Sequence, residues 1–196
     1  TYYTIFVIAS MKKIAFLSAI FCLLSSSFIA FGQKNKKSQQ APPEPLFTHT
    51  ADGKSIFYNE IGAPIPRVNF KRRDGKTITN ESLKNTSPLF VILFNPTCEH
   101  CELMAKELKA NINLFKSSPI VFLAAQGMES YIPNFVKITD IGAIPKLQVA
   151  IDNSMFIQKT FLYKTLPQIN VYNKDRMLEK IFLSNVPIDS LRQYIE

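Results

Sequence analysis

From about residue 54 onward, short apolar runs alternate with longer segments in which apolar residues recur at helical spacing. The runs at 89–94 (LFVILF) and 120–125 (IVFLAA) have no polar face, which is typical of central strands covered on both sides. The segment between them carries apolar residues at steps of three or four on one face: Cys101, Ala105, Leu108, Ile112 and Phe115. This alternation predicts an α/β fold.

The remaining pattern predicts a hairpin early in the domain and a hairpin with a helix at its end. The elements are a hairpin over 67–79 that turns at Asp74 and Gly75, a helix over 129–141 disturbed at its start by Pro133, a strand over 147–151, a helix over 153–163, strands over 168–172 and 180–183, and a helix from Pro187 to Ile195. The prediction is a mixed central sheet with helices on both faces.

An apolar segment near the beginning of the chain indicates export. Met11 opens MKKIAFLSAIFCLLSSSFIAFGQ, in which two lysines precede a long apolar run, and Ala30 and Gly32 supply small residues at a cleavage site. We interpret 1–32 as a secretory signal peptide, with 1–10 as upstream translated sequence or part of the real N-terminus. The alternative is an uncleaved membrane anchor, since the run is about long enough to span a bilayer.

The residues after the signal peptide divide into a linker and one domain. Residues 33–53 are polar and then proline-rich, which favours a flexible linker, and 54–196 is the length of a single domain. The net charge of +8 comes from scattered lysines and arginines without an aligned basic patch, so we expect no nucleic-acid partner.

Two of the three cysteines stand three residues apart, directly after the apolar run at 89–94. Cys98 and Cys101 enclose Glu99 and His100, whereas Cys22 lies in the signal peptide and leaves with it on cleavage. Export would bring the pair into a compartment where disulfides persist. Three interpretations are open at this point: a structural disulfide, a metal site or a reactive dithiol.

A buried strand, a CxxC pair at a helix start, and Leu166-Pro167 entering a strand hairpin together resemble the thioredoxin superfamily. The hairpin at 67–79 and the helix-strand-helix insert at 129–163 are similar to its TlpA/ResA-like envelope thiol-disulfide oxidoreductases, over roughly 60–196. The resemblance implies a three-layer thioredoxin-like fold, activity on disulfides of cell-envelope proteins, a separate redox partner and no cofactor or metal. It also implies a cis peptide bond before Pro167 that leaves the Leu166 backbone free to pair with an extended substrate.

The chain departs from that family at three positions. Thr97 stands where a tryptophan usually precedes the first cysteine, and Ile92 occupies the position of the buried acid of thioredoxins. No obvious acid precedes Pro167. These departures concern the handling of protons during turnover.

The position of each thiol on the helix predicts its role. Asn95, Pro96 and Thr97 are cap-type residues, so Cys98 is expected in the first turn, where unpaired N–H groups and the helix dipole favour a thiolate. Cys98 is therefore the expected nucleophile, and Cys101, one turn further on the inward face, is the expected resolving thiol.

Three flanking residues are expected to tune this pair: Thr97, Glu99 and His100. A protonated His100 would stabilise the Cys98 thiolate and make the couple more oxidising, while Glu99 opposes it. We predict a potential above that of thioredoxin, about −270 mV, and below that of a strong oxidase, about −120 mV.

The competing interpretations are weaker on physical grounds. A disulfide between Cys98 and Cys101 would close a loop of about four residues, and by the chain-entropy formula this would stabilise the folded state by only about 2 kcal/mol. A closed zinc site requires four ligands, whereas Cys98, His100 and Cys101 supply three, and His49, the other histidine, falls in the predicted linker. A thiol peroxidase would need another spacing of proline and threonine before its cysteine, and a binding or maturation module without turnover would not need both thiols. We therefore predict an exported, periplasmic or extracytoplasmic thiol-disulfide oxidoreductase, free or membrane-anchored, whose direction of electron flow and substrates stay open.

Overall fold

The computed structural model describes residues 46–195 except 85, 154, 155, 162 and 164. The predicted signal peptide with its upstream residues, Cys22 and most of the linker lie outside the described residues. In the described part, no helix has the length and apolar character needed to cross a membrane.

Within the described residues, seven strands form the central sheet and two more form a separate ribbon. The strands are β1 (Phe47–His49), β2 (Ser55–Phe57), β3 (Asn69–Arg72), β4 (Thr77–Thr79), β5 (Leu89–Leu93), β6 (Ile120–Ala125), β7 (Leu147–Asp152), β8 (Gln168–Tyr172) and β9 (Leu178–Leu183). The sheet has the order β4-β3-β7-β6-β5-β8-β9, while β1 pairs with β2. Strands β5, β6 and β7 are parallel and the other neighbours are antiparallel, so the predicted mixed sheet is confirmed.

Helices cover both faces of this sheet. They are α1 (Glu99–Ala110), α2 (Ile132–Thr139), α3 (Phe156–Thr160) and α4 (Asp189–Arg192), with 3-10 turns at Ile112–Phe115 and Glu129–Tyr131. One core cluster joins the sheet to α1, α2 and α4 through residues such as Met104, Phe135 and Leu191. The second cluster lies on the opposite face and includes Ile157 of α3. The three-layer arrangement predicted from the sequence is therefore confirmed.

The first predicted hairpin is formed by β3 and β4. Arg72 N–H donates to Lys76 O at 2.8 Å across the turn, and Gly75 has φ +79°, a conformation that a side chain would strain. Strand β3 continues the central sheet by pairing with β7, with Phe70 opposite Asp152.

The segment predicted as a linker contains a strand among its described residues. Strand β1 lies inside the segment 33–53, which was expected to be linker, and pairs antiparallel with β2. Phe47 packs edge-on against Phe57 at 6.1 Å between ring centroids. An aromatic pair across two short strands stabilises a ribbon that the polar composition of the segment did not reveal.

Two helices are shorter than predicted. Among the described residues, α3 ends at Thr160, before the predicted end at 163, and α4 occupies four residues of the predicted 187–195. Around α4, the N–H groups of Leu191 and Tyr194 donate to carbonyls three residues back, at 2.9 and 3.0 Å. These tight turns replace the longer α-helix that the spacing of Leu191 and Ile195 suggested.

A buried arginine ties the β8–β9 turn to the segment before β5. The Arg176 guanidinium donates to Leu83 O at 2.9 Å from Nε, to Ser87 O at 2.8 Å from Nη1 and to Asn173 O at 3.0 Å. Burial lowers the pKa of Arg176. Three backbone carbonyls in an enclosed place thus depend on one side chain.

Replacing Arg176 with methionine should lower the free energy of unfolding by about 2–4 kcal/mol, because the carbonyls of Leu83 and Ser87 lose their donor in a buried site. Arg176→Lys should lower the free energy of unfolding by less than Arg176→Met does, but still measurably, since a lysine ammonium cannot reproduce the several hydrogen bonds of the planar guanidinium. Urea denaturation measures both changes. Lys174→Met, an exposed position in the same turn, is the control and should stay within about 0.5 kcal/mol; equal effects at 174 and 176 would contradict this role.

Candidate active site

A tight turn leads from β5 into α1. Cys98 N–H donates to Asn95 O at 3.0 Å, with Pro96 at the second position of the turn, where its fixed φ is favourable. The Asn95 side-chain oxygen accepts from the N–H and the hydroxyl of Thr97, both at 2.9 Å. This network sets the direction in which the chain enters the helix.

Cys98 itself is the N-cap residue of α1. Its backbone is extended, with φ −97° and ψ 119°, and its carbonyl accepts from the N–H groups of Cys101 and Glu102 at 3.0 and 3.1 Å. The sequence predicted Cys98 in the first turn, behind a cap formed by Asn95, Pro96 and Thr97. That prediction is wrong by one position, because Cys98 is itself the N-cap residue. The Asn95 side chain accepts hydrogen bonds from Thr97 instead. No side chain among the described residues, that of Cys98 included, accepts a hydrogen bond from the first N–H groups of this helix. Cys98 lies at the end of the helix where backbone N–H groups lack intrahelical partners.

The two thiols occupy different environments. Cys98 is half-buried, whereas Cys101 has none of its surface exposed and belongs to the core cluster that includes residues of α1. Burial raises the pKa of Cys101 from 9.0 to about 12. The Asn95 backbone opposes this shift, and Cys98 and Glu102 add to it. At neutral pH Cys101 is therefore a protonated thiol.

The residues between and before the thiols face solvent. Thr97, Glu99 and His100 are all exposed, and their role in tuning the pair stays a prediction. Glu99 and Glu102 lie in the first turn, and Lys109 lies in the last, which complements the helix dipole.

Leu166 and Pro167 lie at the same edge of the sheet as the cysteines. In the antiparallel pair of β5 and β8, Leu93 is opposite Gln168, so the residues that follow β5 and those that precede β8 meet at one edge. The Leu166–Pro167 peptide bond is cis. Leu166 is half-buried and packs against both core clusters, and Pro167 is buried.

Two features of the site were not read from the sequence. Glu102 is half-buried four residues after Cys98, a spacing that puts the two on neighbouring positions of a helix surface, and it contributes to the raised pKa of Cys101. Behind Pro167, Gln168 Nε2 donates to Asn170 Oδ1 at 2.9 Å in the core. The position of Glu102 could have been found from helical spacing, whereas the Gln168–Asn170 hydrogen bond depends on which face of β8 is covered.

The described residues contain no group of three or more histidine, cysteine, aspartate or glutamate side chains close enough to hold a metal ion. Ile92 is fully buried in the core cluster beneath α1, so apolar packing fills the position where thioredoxins carry an acid.

Comparison with known proteins gives matches among solved structures alone. No family model matches the chain, and no curated protein matches it. The thioredoxin domain of a thiol-disulfide oxidoreductase from Bacteroides vulgatus superposes with a TM-score of 0.59 at 11% identity, over 70% of this chain and 99% of that one.

Two further structures give the same result. StoA from Bacillus subtilis has a TM-score of 0.55 at 14% identity, covering 69% of this chain and 99% of its own. A secreted disulfide oxidoreductase from Mycobacterium tuberculosis, described as homologous to DsbE of E. coli, has a TM-score of 0.54 at 14% identity, over 66% and 94% of the two chains. The chain therefore has the thioredoxin-like fold, with its CEHC segment at the start of the helix that follows a central strand.

Proposed function

We propose that this protein is a thiol-disulfide oxidoreductase in which Cys98 is the nucleophile and Cys101 the resolving thiol. The observation that carries the proposal is the asymmetry of the pair: one thiol half-buried at a helix N-terminus and the other fully enclosed one turn later. Such an asymmetry suits a reaction in which two thiols must act in a fixed order.

The exchange proceeds in two balanced steps. The Cys98 thiolate attacks one sulfur of a substrate disulfide, which forms a mixed disulfide and releases the other substrate sulfur as a thiolate that takes up a proton. Cys101 then loses its proton and attacks the Cys98 sulfur, which releases the second substrate thiolate and leaves Cys98 and Cys101 as a disulfide. The substrate is reduced by two electrons and the protein is oxidised by two; the reverse sequence oxidises a dithiol substrate.

The second step requires removal of a proton from Cys101, which the first step does not. Because burial keeps Cys101 protonated, its proton must leave only when the mixed disulfide has formed. This order protects the reduced protein from reaction at its inner thiol, and it lets Cys98 alone choose the substrate. The backbone of Leu166, at the same sheet edge, is the proposed pairing partner for an extended substrate segment.

We further propose that the protein works outside the cytoplasm on thiols and disulfides of cell-envelope proteins. The segment from Met11 has the composition of a secretory signal, and one neighbour in structure is described as secreted. A separate redox partner would restore the reactive form. A module that binds partners without turnover is the alternative, and the buried position of Cys101 favours exchange over it, since a binding surface gains nothing from a second, hidden thiol.

The activity can be tested by insulin reduction in the presence of dithiothreitol. The wild-type chain should accelerate precipitation of the insulin B chain. Cys98→Ser should return the rate to that of the reductant alone, because no nucleophile remains at the helix start. Cys101→Ala should instead accumulate mixed disulfides, which non-reducing gels reveal. In the uncleaved chain, which retains residue 22, Cys22→Ala serves as the matched control and should be unaffected; wild-type activity in Cys98→Ser would overturn the proposal.

The buried thiol also predicts how stability depends on pH. The unfolded chain loses the Cys101 proton above about pH 9, while the folded chain retains it up to about pH 12, so stability present below pH 9 is lost as the pH rises. From pH 9 to pH 10, the free energy of unfolding of the reduced protein should fall by about 1 kcal/mol more than that of Cys101→Ala. Denaturant titration under reducing conditions measures the difference. Parallel curves for the two proteins would show that Cys101 is not enclosed in solution.

The side chains of Glu99 and His100, between the two cysteines, lead to a prediction of the redox potential. Equilibration with glutathione should give a midpoint above about −270 mV. His100→Ala should lower the midpoint by roughly 10–20 mV, because it removes a side chain that can carry positive charge beside Cys98, and Glu99→Gln should raise it by a similar amount because it removes a negative charge. Shifts of the same sign in both variants would exclude electrostatic tuning by these side chains.

A further inference from the structure

Half of the large apolar side chains that lie exposed in the described part of the chain belong to one segment, 46–61. They are Leu46, Phe47, Phe57 and Ile61, with exposed fractions of 48, 41, 50 and 58%. The others come from four separate elements: α1, the 3-10 turn at 129–131, α2 and β9. Single exposed apolar residues are normal on a protein surface, whereas a group of them within sixteen residues indicates a contact surface.

The pairing of β1 with β2 puts both phenylalanines on one face of the ribbon. Phe47 is opposite Phe57 and His49 is opposite Ser55, and residues in such pairs point to the same side. These four side chains are exposed, whereas the alternate residues of both strands are half-buried. The Phe47 ring contacts the rings of Phe57 and His49, with centroids 6.1 and 5.9 Å apart. This aromatic face carries no carboxylate.

An exposed aromatic face is a poor arrangement for a ribbon of this size. A ribbon of two strands is marginally stable in water by itself. Its outer phenylalanines therefore favour a partner that removes them from water.

The lysines before the ribbon indicate which partner this is. Lys34, Lys36 and Lys37 are grouped, and nine residue steps separate Lys37 from Leu46. Nine steps span at most about 32 Å in any conformation, so the cations and the aromatic face can reach one surface. The acids of the same stretch occur singly: Glu44, Asp52 and Glu60. Grouped lysines close to aromatic and aliphatic side chains are the pair of signals that bind a peripheral protein to an anionic bilayer.

The ribbon joins the domain at the end of the sheet opposite the thiols. After β2, Gly62 N–H donates to Leu178 O at 2.7 Å. Leu178 is opposite Tyr172, and Tyr172 is opposite Leu89 at the beginning of β5. Cys98 follows the other end of β5. Docking through the ribbon therefore does not require contact with the active-site edge.

We propose that the aromatic face of the β1–β2 ribbon docks on an anionic lipid bilayer. Phe47 and Phe57 enter the boundary between headgroups and acyl chains, and the lysines at 34–37 bind lipid phosphates. Cleavage of the predicted signal peptide or its retention as an anchor leaves these groups in the chain. The inference is independent of the exchange reaction, and it holds the domain at a membrane surface with its thiols accessible to proteins.

A single introduced tryptophan can test this docking, because the chain contains none. Phe57→Trp places the reporter on the aromatic face, and Phe47→Trp is a second reporter there. Tyr131→Trp, an exposed aromatic position in the 3-10 turn before α2, is the matched control. The full chains are mixed with vesicles of phosphatidylcholine and phosphatidylglycerol, or of phosphatidylcholine alone. Quenching by acrylamide in the water and by brominated acyl chains reports where each tryptophan lies.

On the anionic vesicles, acrylamide quenching of Phe57→Trp should fall about threefold or more because the ring leaves water, and brominated lipid should quench it. Tyr131→Trp should show neither change. Adding Phe47→Ser to Phe57→Trp should restore most of the acrylamide quenching, because the neighbouring ring no longer contributes apolar area. Replacing the three lysines at 34–37 with glutamine should reduce the protection, as should added salt or neutral vesicles.

Several results would contradict the docking. Unchanged quenching in both Phe57→Trp and Phe47→Trp would overturn it, provided that both variants unfold in urea at the wild-type midpoint. Equal protection of Tyr131→Trp would show adsorption of the whole chain rather than docking through the ribbon. Equal protection on neutral and anionic vesicles would overturn the selection of anionic lipid. Protection that rises with protein concentration in the absence of vesicles would show that a second copy of the chain occupies the aromatic face instead.

Discussion

The beginning of α1 is the constraint on which the rest of the site depends. Because the turn at Asn95–Cys98 ends β5 and makes Cys98 the N-cap, one helical turn carries the chain from a half-buried thiol to a fully buried one. The same start places Cys98 at the end of the helix where backbone N–H groups lack intrahelical partners, and it buries Cys101 in the core. The chemical difference between two identical residues thus comes from where the helix begins.

The central sheet turns this local asymmetry into a site. Three parallel strands end at the edge where α1 starts, and β8 begins at that edge because Leu93 and Gln168 are opposite each other. Leu166 and Pro167 are therefore brought beside the cysteines although nearly seventy residues separate them in sequence. Arg176 fixes the turn between β8 and β9, and the second core cluster packs on the face of the sheet opposite α1. The strands that carry the site are therefore stabilised by packing on both faces of the sheet.

The sequence predicted most of this arrangement because its signals are local. Runs without a polar face gave β5 and β6, Asp74-Gly75 gave the first hairpin, and the spacing of Cys101, Ala105 and Leu108 gave the inward face of α1. The rest depends on contacts between distant residues. The Phe47–Phe57 pair that orders β1 and the three carbonyls held by Arg176 arise only when the chain has folded. The bonds of Asn95 to Thr97 are local, but composition does not distinguish them from a helix cap. The short length of α4 follows from bonds three residues back that periodicity does not distinguish from an α-helix.

Ile92 occupies the position beneath α1 where an acid could have acted on the thiols, so burial, the largest cause of the raised pKa of Cys101, and position on the helix are the main differences between Cys98 and Cys101. Differential alkylation of the reduced full chain at neutral pH tests this most directly: a limiting amount of iodoacetamide is added, and peptide mass analysis reports the label at each cysteine. The account predicts that Cys98 is modified many times faster than Cys101. Equal labelling of the two in the folded protein would contradict it.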